Sequence, residues 1–228
     1  MTMPIAELLP PMSKIAPKEP TTQAYGEFQK AYDFFNERLF AGQLPRCLIT
    51  LQRKSRAYGY FCGERFVSTG DVADHCDEIA MNPTHFRNRT AAQTFSTLAH
   101  EMAHLWQMHL GNPPKDKEGN LRAYHNLEWA AKMEAIGLYP SSTAKPGGKR
   151  TGAKVSHYII EGGPFDIACK ELLTTGLTIT WSDANEELRK KKASTRSKYV
   201  CPMCQLAMWG KPEALISCMT CEETMEEE

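Results

Sequence analysis

Residues 90–105 read TAAQTFSTLAHEMAHL, and this stretch indicates what kind of fold the chain has. Thr90 and Gln93 have the spacing of a capping box, in which two side chains bond the free backbone N–H groups at a helix start. Apolar residues then recur at steps of three and four, as on one face of an amphipathic helix. The residues of this face are Phe95, Leu98, Met102 and Leu105. The stretch therefore predicts a helix with one buried face.

The middle of this helix carries an HExxH motif, from His100 to His104. Residues four apart on a helix differ by about 40° around its axis, so both imidazoles can point at one ion. Zinc favours neutral imidazole nitrogen. Glu101 lies about 100° away from His100 and can reach a water activated by the ion, as amide hydrolysis requires. The alternative is a helix with two incidental histidines, but unpaired imidazoles beside an apolar face would need partners.

A catalytic zinc needs a third protein ligand. His125 and Glu128 are candidates at the start of the next predicted helix, and Glu134 is a less favoured third option. A histidine would complete an all-histidine site, whereas a glutamate would complete a His/His/Glu site. Spacing alone does not decide between them.

Four of the eight cysteines form two CxxC units, and their spacing predicts a second metal site. The expected ligands are Cys201, Cys204, Cys218 and Cys221. Four thiolates leave no open position for water, so this zinc would be structural and would stabilise a small ribbon. A redox CxxC pair is the alternative, but two matched pairs suit a ribbon better. The sequence thus predicts two Zn²⁺ ions per chain, one catalytic and one structural.

A basic run precedes the cysteines, although the chain has 27 basic and 27 acidic residues and no net charge. The candidate nucleic-acid contacts are Lys190, Lys191, Lys192, Arg196 and Lys198. An exposed Trp209 could stack on bases while these cations meet phosphates. A solvated linker is the alternative reading of such a run.

Length and composition place the chain among ordinary globular proteins of one or two domains. It has 228 residues, 42% hydrophobic and 24% charged, and no apolar run of the length that a membrane helix needs. The first twenty residues lack the pattern of a secretory signal. We therefore expect a cytoplasmic protein, without membrane contact, whose scattered cysteines behave as small apolar residues.

The remaining patterns predict an α+β fold: a small, mostly antiparallel sheet packed on the helices that carry HExxH. An aromatic helix precedes three short strands over residues 47–53, 57–68 and 77–81. A helix over residues 165–175 and a strand through Leu177–Trp181 follow later. His157 and Tyr158 come after a glycine-rich loop and could donate to the oxyanion of a tetrahedral intermediate, unless they form a packed strand end.

Several spaced motifs together resemble the SprT-like (Spartan-like) metalloproteases. Thr97–Trp106 resembles the active-site helix of that family, and Phe35-Asn36, Leu39-Phe40 and Leu44-Pro45 resemble its opening helix. Gly59–Phe61 and Asp77–Pro83 resemble its sheet, and His125–Trp129 with Met133–Leu138 resembles the segment that carries its third histidine. The paired CxxC units resemble the zinc ribbon that follows many such domains. The resemblance covers residues 25–140 and 198–222.

The resemblance implies His100, His104 and His125 as zinc ligands, Glu101 as general base and Glu128 as a structural residue. It also implies proteolysis of DNA-associated proteins, including proteins crosslinked to DNA. The stretch between His104 and His125 is longer than in compact members. Residues 141–188 lie outside the minimal domain and resemble sequences in bacterial, phage or plasmid relatives.

The predicted segments are an arm (1–20), a metallopeptidase domain (21–140), a Gly/Lys-rich loop with an accessory helix and strand (141–188), a basic linker (189–198), a zinc ribbon (199–222) and an acidic tail (223–228). The main alternative to a peptidase is a non-enzymatic DNA-binding or transcription-linked zinc protein with a vestigial HExxH site. A metal hydrolase acting on a non-protein amide is a further alternative. The sequence leaves the oligomeric state open.

Overall fold

The computed structural model describes residues 19–70, 72–184 and 196–227. The chain divides into two compact units, with the boundary between Asp183 and Ala184. The predicted arm up to residue 18 and most of the basic run, residues 189–195, lie outside the described residues. Within the described part of the chain, no helix is long and apolar enough to cross a membrane.

The first unit opens with helix α1, Pro20–Phe40, whose first residue needs no backbone N–H partner. Most of the predicted aromatic face is buried, although Tyr25 at its start is exposed. The buried aromatic residues are Phe28, Tyr32, Phe35 and Phe40. The helix ends at Ala41 in the left-handed conformation, with φ 55°.

The three predicted strands form one sheet with the order β1-β3-β2. They are β1 (Leu48–Leu51), β2 (Gly59–Val67) and β3 (His75–Met81). β2 pairs with β3 in antiparallel fashion, with a bulge between Cys62 and Phe66. β1 pairs with β3 in parallel, whereas every other strand pair of the described residues is antiparallel. Strands β2 and β3 therefore form an antiparallel pair, in which β2 is the edge strand and β3 is the central strand of the sheet.

Helix α2, Ala91–Leu110, starts with the predicted capping box. The Gln93 N–H donates to Thr90 Oγ1 over 3.1 Å, and the Thr90 N–H donates to Gln93 Oε1 over 3.0 Å. Helix α3, Leu127–Ala135, begins after Asn126, whose Oδ1 accepts from the Trp129 N–H over 2.9 Å. The apolar face of α2 is completely buried at Phe95 and Met102, so this helix lies at the centre of the unit.

The chain after residue 137 belongs to the same core. Strand β4 (Leu138–Ser141) pairs with β5 (Ser156–Ile159), and helix α4 (Pro164–Thr174) packs against α1 and α2. The ring of Phe165 in α4 lies 5.3 Å from that of Phe35. The segment after residue 141, which the sequence analysis placed outside the minimal domain, thus belongs to the core of the first unit through α4.

The strand predicted through Leu177–Trp181 does not form. Leu177 and Ile179 do pack on the core, which explains the alternating pattern. The backbone is held by a side chain instead of a neighbouring strand, because Glu27 accepts the Thr180 N–H over 3.0 Å and its hydroxyl over 2.6 Å. Asp183 then ends the unit, accepting from Arg53 Nε over 2.5 Å.

The second unit is a small β structure. Its three-stranded sheet has the order β10-β6-β7, and a two-stranded ladder joins β8 to β9. The strands are β6 (Ser197–Val200), β7 (Ala207–Gly210), β8 (Ser217–Cys218), β9 (Glu223–Thr224) and β10 (Glu226–Glu227). The predicted acidic tail is therefore built into both sheets, and the end of the predicted basic linker starts β6.

Candidate metal centre

Three histidines converge at the centre of the first unit. Helix α2 supplies His100 and His104, and His125 lies two residues before α3. One ring nitrogen of each lies within 4.8 Å of the other two. The three rings could therefore hold a metal ion, and the third of them is the histidine that the family resemblance implied.

The ring of His125 is oriented by the backbone. Its Nδ1 lies 2.9 Å from the carbonyl oxygen of Gly152, and the two residues also form an isolated β-bridge. A carbonyl can only accept, so Nδ1 carries the proton and Nε2 keeps the lone pair for a metal.

The other two candidates for the third ligand are engaged elsewhere. Glu128 accepts from Gln107 Nε2 over 2.8 Å and from the backbone N–H of Asn112 over 2.7 Å, so it anchors the end of α2. Glu134 forms an ion pair with Arg150 over 2.5 Å. Neither carboxylate belongs to the metal-binding groups found among the described residues.

Burial keeps the imidazoles neutral. It lowers the pKa of His104 to about 3, with a smaller contribution from His125. It also lowers the pKa of His100, together with the neighbouring histidines. Neutral imidazole nitrogens are the ligands that zinc favours, so the donor set fits this ion.

Glu101 follows His100 in α2 and is buried, with 6% of its surface exposed. Burial raises the pKa of this carboxyl to about 8, against the opposing effects of the Lys54 charge and of a hydrogen bond from the Phe61 N–H. A side chain at Gly59 would crowd this region, since its Cβ would lie 2.9 Å from the Ala80 carbonyl oxygen and 3.4 Å from Glu101 Oε1. The carboxyl is thus held where it can exchange a proton near neutral pH.

Trp129 packs against all three imidazoles and was missed by the sequence analysis. Its ring centroid lies 4.8 Å from that of His100, 5.1 Å from that of His104 and 4.3 Å from that of His125. The side chain is completely buried. The available signal was its place four residues after His125, in the first turn of α3.

A sequence profile of the SprT-like family matches residues 28–151, more than half of the chain. The chain belongs to the SprT-like family. It is also similar to an uncharacterized protein in the mucB 3′ region of Salmonella typhimurium, with 57% identity over 54 residues. That alignment covers 24% of this chain and 73% of the relative.

His157 lies just beyond the SprT-like match, yet its ring contacts His100, one of the three converging histidines. Its Nδ1 lies 3.0 Å from His100 Nδ1, and its Nε2 lies 2.9 Å from Ser96 Oγ. Both nitrogens have partners, so the ring is not free to donate to an oxyanion. Tyr158 points to the other face of the strand and stacks on Tyr139 with centroids 5.2 Å apart. This arrangement favours the alternative for both residues, a packed strand end.

The four CxxC cysteines of this SprT-like protein come together in the second unit. Their four sulfur atoms all lie within 4.8 Å of one another, and those of Cys204 and Cys218 are 3.7 Å apart. Backbone N–H groups of Cys221 and Thr220 lower the pKa of the Cys218 thiol to about 7. Four thiols, one of them readily ionised, are consistent with a structural zinc site.

The predicted nucleic-acid contacts are only partly described. Lys190, Lys191 and Lys192 lie outside the described residues. Arg196 and Lys198 lie where the described part of the second unit resumes, and Lys198 is the cross-strand partner of Trp209. Trp209 is exposed over 65% of its surface, as expected.

Proposed function

We propose that this protein is a zinc-dependent metallopeptidase that hydrolyses peptide bonds in DNA-associated proteins. The observation that carries the proposal is a buried carboxyl, Glu101, next in α2 to one of three converging imidazoles. A structural metal site would gain nothing from a buried carboxyl at that position, where burial raises its pKa and a bound cation would favour the carboxylate form that accepts a proton.

His100, His104 and His125 would hold the zinc ion. When bound, zinc supplies Lewis-acid chemistry that activates water near neutral pH. The carboxylate of Glu101 accepts the proton released in the attack and passes it to the nitrogen of the leaving amine. The Phe61 N–H holds that carboxylate in place during both transfers.

The second unit supports the proposed DNA association. Trp209 offers an exposed aromatic face next to Lys198 on a paired strand, and this combination suits base stacking with phosphate contact. Further exposed apolar residues of this unit are Met203, Leu206, Met208, Leu215 and Met219. In this proposal the second unit raises the local concentration of substrate at the first.

The test of the chemistry is the Glu101→Gln variant. We expect it to keep its metal and to lose about 10²- to 10⁴-fold in cleavage rate, because the amide cannot accept the proton. Glu128→Gln is the matched control, since it changes a nearby carboxylate that we assign to structure. Cleavage would be followed on a protein bound to DNA and on the same protein alone. Equal activity of wild type and Glu101→Gln would contradict the proposal and favour the non-enzymatic alternative.

The test of the DNA contact is the Trp209→Ala variant. Loss of one stacked base costs about 1–3 kcal/mol, so binding of a single-stranded oligonucleotide should weaken at least about fivefold. Trp181→Ala is the control, because Trp181 is a partly exposed tryptophan of the first unit. Unchanged binding by Trp209→Ala would remove the stacking contact from the proposal.

A further inference from the structure

We infer that His157 is a positioning residue: it fixes the proton of His100 on Nδ1, so that Nε2 is left to bind the metal. The inference goes beyond the proposed peptidase activity, since it needs only the three-histidine metal centre. It rests on an uninterrupted line of hydrogen bonds that leads from the backbone of α2 through Ser96 and His157 to His100.

The direction of this line is set at its far end. Ser96 Oγ lies 2.9 Å from the carbonyl oxygen of Gln93 and 2.9 Å from His157 Nε2. The carbonyl can only accept, so the single hydroxyl proton of Ser96 points to it. The guanidinium of Arg89 donates to the same carbonyl. Ser96 must therefore accept from His157, whose Nε2 carries a proton.

The proton on His157 Nε2 determines the state of His100. A neutral imidazole has one N–H, so His157 Nδ1 presents a lone pair to His100 Nδ1, 3.0 Å away. His100 Nδ1 then carries the proton, and His100 Nε2 has the free lone pair. The reversed line would place the His100 proton on Nε2 and block the metal.

The same segment orients two of the three ligands. The Gly152 carbonyl orients the ring of His125, and His157, five residues after Gly152, orients the ring of His100. Ser96 lies one helical turn before His100 on α2, and it is 98% buried, with 2% of its surface exposed. Partners of this kind typically change metal affinity about 10- to 100-fold when they are lost.

The test measures zinc affinity of the full chain by competition with a chelator. His157→Phe keeps a ring but removes both nitrogens, and we expect zinc binding at the histidine site to weaken about 10- to 100-fold. His157→Gln is the matched variant, because its amide can donate to Ser96 and accept from His100. We expect its zinc affinity at the histidine site to stay within about threefold of wild type, a smaller change than the loss of a whole hydrogen-bond partner causes. The cysteine site of the same chain should not change and controls for concentration and folding.

Two further measurements keep the inference falsifiable if His157→Phe folds poorly. Ser96→Ala leaves the ring of His157 in place but removes the acceptor that sets its direction, so it should also weaken zinc binding at the histidine site. Ring-nitrogen NMR of the zinc-loaded wild type should show His100 protonated at Nδ1 and His157 protonated at Nε2. A proton on His157 Nδ1, or unchanged zinc affinity in both His157→Phe and Ser96→Ala, would overturn the inference. A wild type that binds zinc but cleaves nothing would instead contradict the proposed function alone.

Discussion

His125 and Glu128 lie three residues apart but have different roles in this protein. His125 faces the other histidines, whereas Glu128 accepts hydrogen bonds from Gln107 and Asn112 at the end of α2. Residue types and spacing could not separate these roles, because both side chains start from the same helix end. The separation depends on Asn112, which lies 16 residues before Glu128 in the chain.

The metal content of two variants tests this division. His125→Ala should lose the metal of the histidine site and keep that of the cysteine site, because two imidazoles alone leave the first site incomplete. Glu128→Gln should keep both metals and lose roughly 1–3 kcal/mol of stability, since a charged acceptor at the end of α2 is weakened. Metal analysis and urea unfolding measure the two effects. Loss of metal in Glu128→Gln together with full retention in His125→Ala would reverse the assignment.

The residues of the candidate site could be predicted when a local pattern marks them. His100, Glu101 and His104 follow from one helical motif, and the four cysteines follow from two short repeats. Ser96 and His157 could not be paired, because 61 residues separate them and neither is unusual by itself. Trp129 likewise becomes significant only when α3 is placed against α2.

At the scale of elements, α2 carries the site, and its first turn can be tested without touching the metal centre. Thr90→Ala removes the hydroxyl that accepts from the Gln93 N–H, so the free energy of unfolding should fall by about 1 kcal/mol. Thr90→Ser keeps the acceptor and serves as the control. Urea unfolding of both variants gives the comparison, and equal stability of the two would show that the cap contributes little here.

The helices and the three strands of the first sheet were predicted from local patterns, whereas two segments that depend on distant partners were not. Most of the aromatic face of α1 and the apolar face of α2 lie buried as their spacing indicated. The alternation through Leu177–Trp181 gave the correct buried side but the wrong structure, because Glu27 takes the place of a neighbouring strand. Glu226 and Glu227 pair with Val200 and Tyr199, far back in the second unit, which a run of glutamates does not indicate.

At the scale of the whole molecule, each compact unit has its own candidate metal site. The histidines lie in the unit that ends at Asp183, and the cysteines lie in the other. Folding of each unit should therefore respond to its own metal. The core of the first unit also includes Phe165 and Leu172, beyond the end of the family match at Thr151.

Loss of the cysteine site should affect the second unit alone. Cys218→Ser removes a ligand from a site whose metal binding would supply folding free energy, so this unit should unfold. The histidine site should keep its metal and the first unit its unfolding midpoint. Hydrogen exchange resolved along the sequence, with metal analysis, would measure both. Loss of protection in α2 would contradict the independence of the two units.

The position of Trp129 gives the protein an intrinsic optical signal. Its indole ring is shielded from water and lies within 5.1 Å of all three candidate ligands, measured between ring centroids. A paramagnetic ion such as Co²⁺ at the histidine site would sit close enough to this ring to quench its fluorescence. Occupancy of the histidine site would thus remove the contribution of Trp129 to the emission of the four tryptophans, without a label.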